Sequence, residues 1–342
     1  MKYNALGNSQ LKVSPVMLGT WAIGGWLWGG GTDKAKSEEA ILASIDAGVN
    51  AIDTAPAYGF GVSEEIVGSA IKHRDRDSVL IATKCGLVWN NRPDSTFFFS
   101  TSDSSGTPLS VNRCLRKDSI ISECEDSLRR IGVDFIDLYQ CHWPHLETPV
   151  SESIEALAAL REQGKIREFG VSNYSLSDLQ QCVDHGGITS CQPKYSLLSR
   201  ELEEDVLPFC RDNRIGVTAY SPMEMGLLTG KFAMDYKVPD DDTRKCRPWF
   251  QPKKRRQVLD ALEQVKPIAD RYDATLAQVS VAWIFSQPGV TSAIVGARNR
   301  EQAESNALAA SIELDREDIE TIRNIFEPLV LDEPFDVAKV KR

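Results

Sequence analysis

No stretch of this 342-residue chain is apolar over the ~20 consecutive residues that a membrane-spanning helix needs. The N-terminal run Met1-Lys-Tyr-Asn-Ala-Leu-Gly lacks the apolar core of a secretion signal. Basic residues are in deficit, with 39 Lys and Arg against 49 Asp and Glu and a formal net charge of −10. That argues against a general nucleic-acid binder, which needs a positive surface, and for a soluble, cytoplasmic protein. None of the eight cysteines (Cys85, Cys114, Cys124, Cys141, Cys182, Cys191, Cys210 and Cys246) forms a Cys-x-x-Cys pair. Their scatter through apolar and helical segments reads as reduced thiols and argues against a disulfide framework or a zinc site. His142-Trp-Pro-His145 resembles a metal pair only on paper, because Pro144 forbids the regular helix that would align the two imidazoles. A Gly-x-Gly-x-x-Gly after the first strand is also missing: Gly59-Phe-Gly-Val-Ser-Glu lacks the third glycine, and Gly29-Gly-Gly reads as a loop. A Rossmann domain is therefore not expected.

What the chain does contain is an alternation of strand-like and helix-like segments from end to end. A hairpin signal lies between Tyr3 and Val13. Buried strands are predicted at Val16–Thr20, Val49–Asp53, Val79–Thr83, Phe135–Gln140, Glu168–Ser172, Thr189–Gln192, Gly216–Tyr220 and Ser292–Gly296. Helical periodicity falls at Ser37–Ala47, stopped by Gly48, and from Ser63, read as a capping serine. It recurs at Ile120–Arg130, Val150–Gln163, Glu203–Asn213, Lys254–Tyr272, Leu276–Gln287, Asn299–Ala309 and Arg316–Phe326. Two long polar loops interrupt the pattern, Trp89–Arg116 and Gly230–Pro252. Eight strands alternating with helices predict one (β/α)8 TIM barrel spanning residues 1–342, with an N-terminal β-hairpin and long mouth loops.

Four polar residues mark the C-terminal ends of those strands: Asp53, Tyr58, Lys84 and His142. In a parallel barrel all such ends open on one face, where catalytic groups gather. Singly, each has a plain structural reading: Asp53 as a helix cap, Tyr58 as a loop aromatic, Lys84 as a strand-end surface lysine, His142 as part of a turn. Together they make a proton-transfer site. Reducing a carbonyl needs a hydride, which no side chain supplies, so a nicotinamide must. It also needs a proton donor, and a lysine ammonium beside Tyr58 is expected to bring the phenol's pKa down. Asp53 would keep Lys84 charged and aimed, and His142 would hydrogen-bond the carbonyl oxygen.

The segments Leu18-Gly-Thr-Trp, Ile52-Asp-Thr-Ala…Tyr58-Gly, Ala82-Thr-Lys, Asp137-Leu-Tyr…His142-Trp-Pro, Gly164-Lys-Ile-Arg…Gly170-Val-Ser-Asn and Tyr220-Ser-Pro…Gly226-Leu-Leu-Thr-Gly-Lys occur in that order. Taken together they resemble the aldo-keto reductase family, and most closely its bacterial general-stress and inositol-dehydrogenase-like branch. The resemblance runs from about residue 2 to residue 326. It implies a barrel that binds NADP(H) across its mouth, with Tyr58 as general acid, Lys84 and Asp53 in support and His142 orienting the substrate. It also implies Thr20 and Trp21 beside the cofactor, and Ser172, Asn173 and Gln192 on its carboxamide. Tyr220 would stack on the nicotinamide. The backbone of Ser221, Pro222 and Met223 onward to Met225, with Lys231, would line the pyrophosphate. At the adenosine end the chain departs from the family: Gly296-Ala297 replaces a Lys-Ser pair, and Gln302 replaces an arginine. Asn306 would face the adenine, beside Ser305 where an acid is common. Arg298 is then the candidate for a 2′-phosphate, its planar fork matching phosphate geometry, with Arg300 either helping or serving as a helix-surface charge. NADP(H) is the expected cofactor, with NAD(H) as the alternative.

On the substrate side, the pocket rim is expected from the loop at Trp21–Gly31, the insertion around Trp89–Arg116, and Trp249 and Phe250, with Trp28, Trp89 and Trp143 near the ligand. Aromatic walls suit aryl aldehydes and the flat faces of sugars. Asn90, Asn91, Arg92 and Arg113 are candidates for binding hydroxyls or a phosphate. The expected function is reduction of an aldehyde or ketone, with polyol oxidation in the reverse direction as an alternative. A cofactor-binding regulatory subunit of a membrane channel is a second alternative, disfavoured because the chain opens almost at the hairpin. A barrel of lyase or isomerase type is a third. Neither the substrate nor the oligomeric state follows from the sequence.

Overall fold

A computed structural model describes residues 1–25, 28, 31–90, 92–240, 242–329 and 331. Eight parallel strands close into a barrel in the order β3 (Val16–Gly19), β4 (Ala51–Asp53), β5 (Leu80–Cys85), β9 (Ile136–Cys141), β10 (Ile166–Ser172), β11 (Ser190–Gln192), β12 (Gly216–Tyr220) and β13 (Val290–Gly296). Most strand residues are buried, because helices cover the outer face and side chains fill the inner one, as in all-parallel sheets. The predicted (β/α)8 barrel is thus the observed fold.

A hairpin of β1 (Asn4–Ala5) and β2 (Lys12–Val13) closes the N-terminal end. Its Leu6 and Val13 join Met17, Ala51, Ala82, Leu138 and Ile294 in a small apolar cluster inside the barrel. Gly7 (φ +58°) turns so tightly against β11 and β12 that an added Cβ would lie 2.4 Å from the Thr189 carbonyl oxygen. Nearer the other end the interior becomes polar. Lys84 pairs in register with Gln140, and Ser190, Gln192 and Thr218 are buried on neighbouring strands. A barrel plugged with apolar side chains below and polar above directs chemistry to one mouth.

A larger apolar layer lies between strands and helices, and Cys85 and Cys141 belong to it rather than to the mouth. The covering helices are α1 (Lys34–Asp46), α2 (Val62–Ile71), α3 (Lys117–Ile131), α4 (Val150–Glu162), α5 (Leu176–Asp184), α6 (Val206–Asp212), α7 (Pro252–Arg271), α8 (Leu276–Phe285), α9 (Arg300–Leu308) and α10 (Arg316–Phe326). Helix α5 was absent from the sequence reading, although Leu176, Leu179, Cys182 and Val183 recur at helical spacing; Leu179 and Cys182 are buried and Val183 packs against the core. Its signal was the capping box of Ser175 and Asp178, which the structure forms. Ser63 is not the cap of α2. Gly61 (φ +105°) occupies that position, and the Ser63 hydroxyl lies 2.7 Å from Thr20 Oγ1 and 2.9 Å from Thr54 Oγ1, tying the ends of β3 and β4 together.

The expected loop Trp89–Arg116 is nearly half sheet. Strands β7 (Thr96–Ser102) and β8 (Pro108–Arg113) pair antiparallel, and β6 (Leu87–Val88) adds to β8. A register shift between Phe97 and Phe99 breaks the alternation that would have revealed β7 in the sequence. It turns Phe98 inward, onto Leu87, Val111 and Ala57, while Phe97 remains 60% exposed. The segment 230–252 carries two short 3-10 turns, Thr243–Cys246 and Pro248–Phe250.

Glu123 ties α3 to the end of β5: its Oε2 accepts the Gly86 N–H at 2.8 Å, just past β5, and its Oε1 accepts the Ser119 hydroxyl at 2.9 Å. Burial pushes its carboxyl up from 4.5 to about 8. The native state therefore holds a proton that the unfolded chain releases, and stability falls as pH rises between about 4.5 and about 8. Glu123→Gln is expected to raise the melting temperature relative to wild type at pH 8–9 and to leave it little changed near pH 4.5. An equal difference at both pH values in thermal melts would show that Glu123 is ionised throughout.

Candidate active site

Asp53, the last residue of β4, and Lys84, in β5, meet inside the mouth. Lys84 Nζ donates to both Asp53 oxygens at 2.8 and 2.9 Å, to the Thr54 carbonyl at 2.9 Å and to Tyr58 Oη at 3.1 Å. Lys84 is fully buried, and Asp53 nearly so. Tyr58 reaches the pair from a tight turn closed by the Gly61 N–H on the Pro56 carbonyl, with Gly59 (φ +71°) inside it. His142 follows β9, its N–H bonded to the Cys85 carbonyl at 2.9 Å, and its ring stands edge-on to Tyr58 with centroids 5.9 Å apart. The four residues singled out from the sequence are thus brought together.

The Tyr58 turn rests on the turn after β3. A Cβ on Gly24 would lie 2.5 Å from the Tyr58 carbonyl oxygen, closer than real contacts allow. Gly24→Ala is accordingly expected to displace Tyr58 and lower kcat by about tenfold or more, since small misplacements of reacting groups are costly. Steady-state kinetics checks this, and unchanged kcat would mean that the turn yields without moving the phenol.

The electrostatics differ in one respect from expectation. Burial alone would lower Lys84, but the Asp53 carboxylate and Tyr58 outweigh it and hold the ammonium above its ordinary value. Tyr58 was expected to be lowered by that ammonium, yet its pKa is raised: loss of hydration in the mouth exceeds the pull of Lys84, and Asp53 works against ionisation as well. Tyr58 is therefore a neutral phenol, able to donate. His142 is pushed well below 6.5, first by burial and then by the Lys84 charge, so its imidazole is neutral. Both ring nitrogens of His145 are engaged, one 3.0 Å from Thr96 Oγ1 and the other 2.7 Å from Thr148 Oγ1.

A cleft of about 1010 Å³ opens from these residues. At its inner end Asn173 (φ +62°) donates to the His142 carbonyl at 2.9 Å and accepts from the Tyr220 hydroxyl at 2.8 Å. The Ser172 hydroxyl donates to the Gln192 carbonyl at 2.8 Å. Thr20 and Trp21 line the same end, with Trp21 stacked 6.3 Å from Tyr58. Ser221, Pro222 and Met223 follow β12, where left-handed backbone at Ser221, Glu224, Met225 and Gly226 curls the chain along the wall; Lys231 lies beyond. The far end holds Gly296, Arg298, Gln302 and Asn306. There Gln302 Oε1 accepts the Arg298 N–H at 2.9 Å, and the Asn306 amide donates to the Gly296 carbonyl at 3.1 Å. Arg300 is a helix-surface charge, paired with Glu39 and Glu304.

Of the aromatics expected near a substrate, Trp28 and Trp143 line the cleft, as do Trp249 and Phe250 on the rim. Trp89 is not among the lining residues; its ring packs against Phe60 at 5.1 Å. Arg92 is paired with Asp94 and Asp118, and the Arg113 guanidinium covers the Phe98 ring, so neither reaches the cleft. Asn90 lies outside the lining, and Asn91 is outside the described residues. The insertion around Trp89–Arg116, expected at the rim, reaches the cleft through Phe98, Phe99, Ser100 and Thr101, none of which stood out individually in the sequence; Lys194 and Arg247 also line the cleft and carried no sequence signal.

The aldo/keto reductase family profile matches residues 15–327. The chain belongs to the aldo/keto reductase family. It is 40% identical over 334 residues to the aldo-keto reductase YhdN of Bacillus subtilis, covering 97% of this chain and 96% of the relative. It is 39% identical over 333 residues to an NADH-specific methylglyoxal reductase of Escherichia coli, covering 96% and 99%. The solved structure of the glycerol dehydrogenase AKR11B4 from Gluconobacter oxydans superposes with a TM-score of 0.85 at 35% identity, covering 98% of each chain. As an aldo-keto reductase the protein is an NAD(P)H-dependent oxidoreductase acting on carbonyl compounds. Among the described residues no helix is long and apolar enough to cross a membrane.

Proposed function

We propose that this protein reduces small aldehydes or ketones to alcohols, with Tyr58 giving the proton to the carbonyl oxygen. The observation that carries the reading is the buried chain Asp53–Lys84–Tyr58, in which one ammonium joins both carboxylate oxygens to the phenol. Bound nicotinamide supplies the hydride to the carbonyl carbon. Lys84 stabilises the phenolate left when Tyr58 has given up its proton, and Asp53 keeps Lys84 charged and aimed. Neutral His142 hydrogen-bonds the carbonyl oxygen and turns it toward Tyr58.

The donor set fits a dinucleotide. Ser172, Asn173 and Gln192 suit a carboxamide and the Tyr220 ring suits a planar base. The turn from Ser221 to Met225 and Lys231 suit phosphates, and so does Arg298, just before the N-terminus of α9. With Arg300 already paired, Arg298 is the residue assigned to a 2′-phosphate, and Glu301 beside it in the lining tempers that positive field. The reading is therefore use of both dinucleotides, NADPH gaining only the Arg298 contact. Arg298→Ala would weaken NADPH alone, by about tenfold to a hundredfold for one charge-assisted contact.

For the substrate, aromatic walls at Trp21, Trp28, Phe98 and Trp143, with the Ser100 and Thr101 hydroxyls, suit either an aryl aldehyde or a short oxygenated carbonyl. The names of two relatives, a methylglyoxal reductase and a glycerol dehydrogenase, favour the second class and keep polyol oxidation open as the reverse reaction. The test is consumption of NADH and NADPH with an aromatic aldehyde, methylglyoxal and glyceraldehyde, and NAD(P)⁺ reduction with glycerol. Absence of turnover in every combination would overturn the reading.

A further inference from the structure

We propose that Gln192 is a positioning residue of the proton relay as well as a cofactor contact; the inference rests on the reductase reading above. Gln192 ends β11, and its Nε2 donates to Asp53 Oδ2 at 2.8 Å. Both side chains are buried, 2% exposed for Gln192 and 3% for Asp53. The same Oδ2 also receives Lys84 Nζ at 2.9 Å, and Oδ1 receives it at 2.8 Å. A carboxylate held by one flexible ammonium can still pivot about its Cβ–Cγ bond. A second donor from a different strand fixes its plane, and so fixes where Lys84 Nζ sits beneath Tyr58 Oη, 3.1 Å away. Gln192 is itself anchored: its backbone carbonyl accepts the Ser172 hydroxyl at 2.8 Å and the Asn173 N–H at 3.3 Å.

The orientation of the Gln192 amide follows from its partner. An ionised carboxylate only accepts, so the nitrogen must face Asp53 and the oxygen must diverge from it. Gln192 also lines the cleft. One amide group therefore touches the relay with its donor and leaves its acceptor, Oε1, for the amide group that a nicotinamide would bring. The side chain that would hold the carboxamide is in this way bonded to the carboxylate that supports the acid.

Gln192→Glu separates the two roles. It keeps an oxygen for the carboxamide and replaces the donor to Asp53 by a second oxygen. Two adjacent carboxylates share a proton on acidification, which restores a hydrogen bond to Asp53. The expected result is kcat on the order of 10²-fold below wild type at pH 8. That deficit narrows toward pH 5, while the nicotinamide dissociation constant from fluorescence titration stays near wild type. Gln192→Leu should lose kcat at every pH and weaken the cofactor too. In the cofactor-free protein, a double-mutant cycle of Gln192→Leu and Asp53→Asn read by urea unfolding should be non-additive. Wild-type kcat and pH profile in both variants, with only cofactor affinity altered, would overturn the proposal; so would an additive cycle. A wild type that reduces no carbonyl with either dinucleotide overturns the reductase reading itself, and the proposal with it.

Discussion

Tyr58→Phe is expected to lower kcat for carbonyl reduction by about 10²- to 10⁴-fold, the usual contribution of a positioned acid, while leaving nicotinamide affinity near wild type. Phenylalanine keeps the ring against Trp21 and His142 and removes only the hydroxyl that Lys84 holds. The pH dependence sharpens the test. Burial keeps the Tyr58 phenol protonated through neutrality. Reduction should therefore be flat across neutral pH and fall only in alkaline solution. Alcohol oxidation needs the phenolate and should rise over that same alkaline range. His142, held well below 6.5, should add no limb near that value. Turnover by Tyr58→Phe within a small factor of wild type, with the alkaline limb retained, would assign the proton to another group.

Lys84→Met should destabilise the protein by about 3–5 kcal/mol, the loss found when one partner of a buried ion pair is removed. Lys84 is fully enclosed, and Asp53 is 3% exposed. Without the ammonium, Asp53 would keep, among the described residues, the Gln192 amide as its side-chain donor and must either carry an uncompensated charge or take up a proton. The double variant Asp53→Leu/Lys84→Met should recover much of that stability while remaining inactive, because the desolvated charge is gone but so is the support for Tyr58. Urea unfolding of wild type, single and double variants decides it. A double variant no more stable than Lys84→Met would show that packing, not charge, sets the cost. Recovery of stability in the inactive double variant would mark the relay as costly to folding and kept for chemistry.

The barrel and its four central residues were legible in the sequence for a physical reason. Buried parallel strands appear as short apolar runs, and a polar residue at the end of such a run stands out, as Asp53, Lys84 and His142 do. What was not legible depended on three-dimensional competition. The alternation in β7 is broken by a register shift, so Phe98 reads as part of a Ser/Thr-rich loop although it is buried. Helix α5 is short and was passed over although Leu176, Leu179, Cys182 and Val183 recur at helical spacing. Ser63 has the chemistry of a cap, but the Thr20 and Thr54 hydroxyls claim it. The sign of the Tyr58 shift was missed because charge proximity can be guessed from residue types, whereas lost hydration depends on the depth of the mouth.

The hairpin plug has a consequence for how each catalytic cycle closes. With Leu6, Val13, Met17 and Leu138 packed in one apolar cluster inside the barrel, the polar groups of the site open on the mouth. A proton given up by Tyr58 would then be replaced from that mouth, the opening that substrate and cofactor would also use. The apolar floor would thus make the way in for reactants the way back for the proton as well.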